Sequence, residues 1–302
     1  MSSGIHRTEL GATISMIQEA PSTERAFYIE RDEHVSRTGR AQSHWTYYHA
    51  PHRTLPGRLL IIGGLGGVES AYTPVAKHIA HGGLDTITMN LPTYQHSHHQ
   101  YHRDHLLHPE RLLAQMVRRI TRDIKAEYGD EPVDAAGHST GAPAITQAAD
   151  FDPQLLHSVT LWQPPGLTKG GIVRLATRIP KVLSSGLKSR GELGENLSSL
   201  THELLGEYAG YVQNIPRRVL EAAAVSNSDI RAPLTRVKSS GVKAAAILAI
   251  NDAFFPVEEA TLSLLEAGIV PIRLEGCHLI PLAFPARLAA AQLMVHEALY
   301  AA

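Results

Sequence analysis

The sequence predicts an α/β protein whose mostly parallel central sheet carries helices on both faces. Three observations predict it. Short, nearly continuous apolar runs such as Arg58-Leu59-Leu60-Ile61-Ile62 read as strands buried on both sides. Helical periodicity follows them, most clearly where Leu112, Leu113, Met116, Val117, Ile120 and Ile124 line one face and Arg118, Arg119, Arg122 and Lys125 lie away from it. Glycine and proline mark the junctions, as at Gly82-Gly83, Pro109 and Gly129.

In chain order, the first twenty or so residues are mixed and carry no clear pattern. Stretches 25–33 and 44–49 read as two strands joined by a polar connection over 34–43, a hairpin leading into the main sheet. The run 58–62 is the first buried strand, and Gly63-Gly64-Leu65-Gly66-Gly67 is a flexible loop after it. A helix is expected over 70–81, with Tyr72, Val75, Ala76 and Ile79 on one side, and a strand over 85–91. Pro109 opens the amphipathic helix at the position proline favours. A strand over 132–136 leads to a helix from about Thr140 to Ala149, and 156–162 is the next strand. Alternation then stops between Gly166 and about Arg236, where only helical segments are legible. It resumes with strands at 243–250 and 269–274 and helices at 256–267 and 285–299. The expected organisation is therefore a core of 1–165 and 237–302 with a helical cap inserted over 166–236.

Composition narrows the class of function. The chain has 302 residues, 43% apolar and 19% charged, enough for a large core. A formal net charge of −1 argues against a general nucleic-acid binder. Cys277 is the only cysteine, so neither a disulfide framework nor a thiolate-rich metal site is available. Residues 1–20 hold no continuous apolar h-region and no run reaches membrane-spanning length, so the expected location is cytoplasmic, without membrane insertion.

The chemistry is concentrated at Gly137-His138-Ser139-Thr140-Gly141, a G-x-S-x-G pattern at the end of an apolar run. A serine on a sharp strand-to-helix turn needs small residues two before and two after it. The following helix points its amino end at the oxygen, favouring negative charge there. A serine hydroxyl is a weak nucleophile and needs a base, and a base that must hold one tautomer needs a carboxylate behind it. Asp252, after the strand at 243–250, and His278, after the strand at 269–274, are a carboxylate and an imidazole able to take those parts.

With these residues the chain resembles the α/β-hydrolase superfamily, in the form with a helical cap between two late strands. Asp252-Ala253-Phe254-Phe255-Pro256 is similar to that family's D-x-x-x-P habit, and Gly276-Cys277-His278 to its G-x-H turn. The resemblance covers residues 58–302. It implies a triad of Ser139 as nucleophile, His278 as general base and acid, and Asp252 as orienting acid. It also implies an oxyanion hole from the backbone N–H groups of Leu65 and Thr140, and substrate contacts at Gly64, His138 and Trp162. The chain departs from the family twice. Gly63 replaces the histidine usual before the oxyanion glycine, and Asn90-Leu-Pro-Thr-Tyr-Gln-His-Ser97 replaces a glycine-rich turn.

The activity implied is serine hydrolysis of a carboxylic ester or lactone, with a small-molecule acyl substrate and no cofactor. A thioesterase or acyltransferase and a C–C bond hydrolase would use the same triad. A non-catalytic binding protein of this fold is the rival from another class. A homo-oligomer is compatible with the sequence.

Other features point elsewhere. His96, His98, His99, His102, His105, His108 and Asp104 share one loop, but their spacing matches no metallohydrolase motif, and no metal is expected. Lys169, Arg174, Arg178, Lys181, Lys188 and Arg190 form a basic run in the insertion, read as a solvated cap face in preference to a guide for anionic substrates. Cys277 reads as the small residue of its turn.

Overall fold

The computed structural model describes residues 29–38, 41–64, 69–90, 109–167 and 228–301, with the single positions Arg178, Lys181 and Ser184. Eight strands form one sheet: β1 (Arg31–Thr38), β2 (Ala41–Tyr48), β3 (Arg58–Ile62), β4 (Thr86–Met89), β5 (Val133–His138), β6 (Ser158–Trp162), β7 (Lys243–Ala249) and β8 (Ile272–Leu274). Their spatial order is β1-β2-β4-β3-β5-β6-β7-β8. β1 and β2 pair antiparallel, β2 joins β4 antiparallel, and every later pairing is parallel.

The helices among the described residues are α1 (Glu69–His81), α2 (Pro109–Tyr128), α3 (Gly141–Phe151), α4 (Arg231–Ser239), α5 (Val257–Glu266), the short α6 (Ile280–Ala283) and α7 (Pro285–Ala301). They divide between two cores, and strand parity decides which strand residue joins which. On one face Leu60, Ile62, Ala135, Val159, Leu161 and Leu248 meet the apolar stripe of α2 together with α3, α4 and α5. On the other, Leu59, Ile61, Ala136, Trp162, Ile247 and Ala249 pack under α1, α6 and α7. Every residue of β3, β4, β5 and β6 is buried, so these strands are sealed from both sides and hold their ends rigidly.

Two expectations change. The residues at 34–43, read as a connection, are mostly strand, because β1 and β2 pair as far as Thr38 and Ala41 and use their polar side chains. Trp45 donates its indole N–H to Ser36, and the His34 ring stacks on Trp45 at 4.1 Å. The alternation of polar and apolar residues there is that of an edge hairpin with one covered face. At the other end of the insertion, α4 packs Leu234 and Val237 into the first core, so residues 231–236 belong with the core rather than with a cap. The short helix α6 was not foreseen.

The chain leaves the sheet at Gly166-Leu167 and is back by Ile230, whose N–H donates to the Gly166 carbonyl at 3.2 Å. Both Leu167 and Ile230 are core residues. Of the cap expected over 166–236, residues 168–227 lie, apart from the three single positions, outside the described residues, as do the histidine-rich loop and Leu65.

Candidate active site

The carboxyl ends of the parallel strands bring Ser139, Asp252 and His278 to one edge of the sheet. Ser139 follows β5 in a left-handed backbone conformation, with φ of +50°. That conformation is costly for a serine, about 1–3 kcal/mol, and the surroundings hold it in place. Its N–H donates to the Trp162 carbonyl at 2.9 Å, and its own carbonyl accepts from Ala142 N–H at 3.0 Å. The flanking glycines are dictated by contact. A β-carbon on Gly137 would stand 2.5 Å from the backbone of Gly141, and one on Gly141 would stand 2.3 Å from the Ile62 carbonyl oxygen. The spacing of the motif is thus a consequence of how closely β5, α3 and β3 approach.

Asp252 and His278 meet across two loops. Ile250 N–H donates to the Leu274 carbonyl and Asn251 N–H to that of Gly276, at 2.8 and 2.9 Å, tying the loop after β7 to the loop after β8. The Asp252 Oδ1 atom accepts from the Phe254 and Phe255 N–H groups at 2.7 and 3.0 Å. Its Oδ2 atom faces His278 Nδ1 at 2.8 Å. A carboxylate there requires Nδ1 to carry the proton, so in the neutral ring Nε2 holds the free lone pair. Phe254 and Phe255 set their rings edge-on to the imidazole at 4.8 and 5.3 Å. Ser139, Asp252 and His278 are all buried. No hydrogen bond joins Ser139 Oγ to His278 among the described residues; resting enzymes often close that contact only around a substrate.

Thr140 is the N-cap of α3, and its N–H is donated to no other described residue. The second expected oxyanion donor, Leu65, falls outside the described residues. Gly64 lies against the serine: a β-carbon there would stand 2.8 Å from Ser139 Cβ. Its N–H is already donated to the Tyr72 hydroxyl at 2.8 Å.

Two residues expected to contact substrate have other employment. Trp162 is fully buried in the second core, and its indole N–H donates to Gln292 Oε1 at 2.9 Å. His138 lies between Tyr72 OH at 2.8 Å from Nδ1 and the His278 carbonyl at 3.0 Å from Nε2. Burial, reinforced by the neighbouring His278, holds the His138 ring well below the ordinary histidine range, so it is neutral near pH 7. Since a carbonyl only accepts, the single N–H is on Nε2, and Nδ1 accepts from Tyr72. Neither nitrogen is left for a ligand.

Arg178, counted in the basic run of the insertion, is not simply solvated. Its guanidinium donates to the carbonyls of Ala253 and Phe254, at 2.8 and 3.3 Å, on the loop that carries Asp252. Cys277 is buried, and burial raises its thiol above the usual range, as fits a packing residue. Gln163, unremarked in the sequence, lies beside His138 at the end of β6. The signal that could have found it is a lone amide inside the buried run Trp162-Gln163-Pro164-Pro165.

A serine on a strained turn, beside a carboxylate-held histidine at the ends of a parallel sheet, defines an α/β-hydrolase fold. The comparisons agree. Residues 57–176 match the family model described as alpha/beta hydrolase fold. The structure is similar to a thioesterase domain from the curacin biosynthetic pathway, at 18% identity and a TM-score of 0.58, covering 87% of this chain and 99% of that one. It is also similar to a putative lipase from Acinetobacter baumannii AYE, at 16% identity and a TM-score of 0.60, covering 99% of both chains. A bromoperoxidase from Bacillus anthracis gives 14% identity and a TM-score of 0.63, over 88% of this chain and all of that one. A comparison with curated protein sequences gives no match. The chain has the α/β-hydrolase fold. The three structures carry different activities in their names, so likeness of fold does not select among them.

Proposed function

We propose that the protein is a serine hydrolase acting through an acyl-enzyme on a carboxylic ester or lactone. The observation that carries this reading is the 2.8 Å contact of Asp252 with His278 Nδ1, which leaves Nε2 as the base beside a strained Ser139. In the proposed cycle Ser139 Oγ attacks the carbonyl carbon while His278 Nε2 takes its proton. The oxyanion is stabilised by the Thr140 N–H and the amino end of α3, with Leu65 N–H as second donor. The imidazolium then protonates the departing alcohol oxygen as the carbon–oxygen bond breaks, leaving the acyl group on Ser139. Water enters, His278 takes its proton, and collapse of the second tetrahedral state returns the acid and the free serine.

Asp252 keeps the imidazole in the useful tautomer and stabilises the imidazolium. Its other oxygen is already held by two N–H donors, so its orientation is fixed before substrate arrives. Thioesters are attacked by the same steps, and they belong in the substrate panel.

The test is incubation with a fluorophosphonate, intact mass and peptide mapping, beside a panel of esters, lactones and thioesters. Stoichiometric labelling of Ser139, with turnover of at least one acyl class, is expected. Labelling without turnover on any acyl substrate would favour a binding protein of this fold. Failure of Ser139 to label would remove the nucleophile assignment.

A further inference from the structure

Two non-glycine residues among those described have positive φ, Ser139 at +50° and Gln163 at +42°. They are neighbours, because Ser139 N–H donates to the carbonyl of Trp162, the residue immediately before Gln163. The Gln163 backbone is pinned in turn by its N–H to the Ile247 carbonyl at 3.1 Å. Its side chain is 1% exposed and its amide lies against the His138 ring as a weak contact, and neither Oε1 nor Nε2 has a partner at full hydrogen-bond geometry. The hydroxyl of Thr140, directly after the nucleophile, is likewise buried and unpaired.

Each orphaned polar group lowers stability, and so does the left-handed backbone of a glutamine. Leucine or methionine would fill the same buried volume between Trp162 and Pro164 without the desolvation cost. The low exposure of Gln163 does not separate it from the site, since Ser139 is only 8% exposed and His278 5%. Uncompensated polar groups gathered around a nucleophile are what a site looks like when its partner is the substrate.

We propose that the Gln163 amide and the Thr140 hydroxyl form a polar subsite beside Ser139. It takes a neutral group able both to donate and to accept a hydrogen bond, a hydroxyl or a carboxamide, carried close to the scissile carbonyl. The amide itself sets this chemistry. Its C=O needs a donor and its NH2 an acceptor, and an alcohol or a carboxamide supplies both. A carboxylate would leave Oε1 facing an anion, and an ammonium would leave the NH2 unpaired. The proposal rests on the serine-hydrolase reading, and it adds what that hydrolase selects.

The experiment compares matched aryl esters that differ only in a hydroxyl or carboxamide next to the ester, on the acyl or the alcohol part. Wild-type protein is expected to favour one polar member over its plain analogue by about tenfold or more in kcat/KM, because a site built to hydrogen-bond rejects a ligand that cannot. Gln163→Leu should erase most of that preference, while its melting temperature stays level or rises as the orphaned amide is removed. Thr140→Val should reduce the preference in the same direction. Equal rates of the wild-type protein on polar and plain esters would overturn the subsite. So would a Gln163→Leu protein that melts lower and loses rate on all esters alike, which would make Gln163 a packing residue under His138. Fluorophosphonate labelling of the wild type keeps the two readings apart, since an unlabelled Ser139 removes the hydrolase, whereas a labelled Ser139 with no preference removes only the subsite.

Discussion

His138 Nε2 donates to the backbone carbonyl of His278 at 3.0 Å, so the residue just before Ser139 carries the loop that presents the imidazole. The contact is one link of a chain. Gly64 N–H donates to Tyr72 OH, Tyr72 donates to His138 Nδ1, and His138 donates to His278. The direction of each bond follows from the neutral ring of His138 and the acceptor-only carbonyl at the far end. The loop after β3, the elbow after β5 and the loop after β8 are thereby held at fixed separations through one tyrosine and one histidine.

Tyr72→Phe removes the middle of this chain at nearly constant volume. It leaves the Gly64 N–H and His138 Nδ1 unpaired, at a cost of about 1–3 kcal/mol each. The expected result is a lowered melting temperature and a fall in kcat of about tenfold, with KM little changed. Steady-state kinetics and thermal unfolding check it; a variant with wild-type kcat would show that the chain of bonds does not position His278.

Asp252→Asn keeps the shape of the acid but presents an amide to His278 Nδ1. The amide can hold the wrong tautomer, with the proton on Nε2, and a loss of about 10⁴ in kcat is expected. Ser139→Ala and His278→Ala should each remove most turnover, and the double variant should be hardly worse than either single one. Independent, multiplying losses would mean that the three residues do not act as a unit.

Arg178→Ala should impair turnover of a neutral ester, because the guanidinium supports the carbonyls of Ala253 and Phe254 beside Asp252. Arg178→Lys should recover part of the loss, since both carbonyls accept from the single nitrogen Nη1 and an ammonium also carries several N–H donors on one nitrogen. If added salt weakened turnover of an anionic substrate while Arg178→Ala left neutral esters untouched, the residue would be a charge guide after all. kcat/KM against ionic strength for one neutral and one anionic ester separates the outcomes.

At the opposite ends of the strands, Asp134 accepts from His157, Ser158 and Tyr300, and His296 stands 3.3 Å away. Burial alone would raise its carboxyl, but the hydrogen bonds from His157, His296 and Ser158 outweigh burial and lower it to about 2. A lowered native value stabilises the fold above the unfolded carboxyl's range, and that contribution is lost as pH falls through the native value. It amounts to roughly 2 kcal/mol at neutral pH. Asp134→Asn should therefore melt lower than wild type at pH 7, and the gap should narrow as pH falls from about 4 toward 2. A gap independent of pH would mean that packing, not charge, makes Asp134 important.

Much of the fold was legible because its determinants are local. Continuous apolar runs mark β3 to β6, and the glycines of the elbow are demanded by close backbone contacts among β3, β5 and α3. Asp252 and His278 were legible from strand-end position and order. What could not be read depends on parity and on partners far along the chain. Trp162 resembles the wall of a pocket, but one step beyond Leu161 it falls on the other face, where Gln292 takes its N–H. His138 resembles a free histidine until Tyr72 and the His278 carbonyl are seen at its two nitrogens. Arg178 looked like part of a solvated run, since nothing in its neighbours predicts a contact with residues 75 positions later.

The hydrogen bond from Ile230 to Gly166 has a consequence for how this molecule can change over time. The chain departs from the sheet and rejoins it through a single gate, with Leu167 and Ile230 already seated in the core on either side. Leu167 and Ile230 themselves close the approach to β6 and β7, so lengthening the chain between them adds only a slowly growing entropic cost. Natural variation, or an engineer, can therefore trade one intervening segment for another of different length, leaving the sheet and the elbow it carries as a reusable chassis.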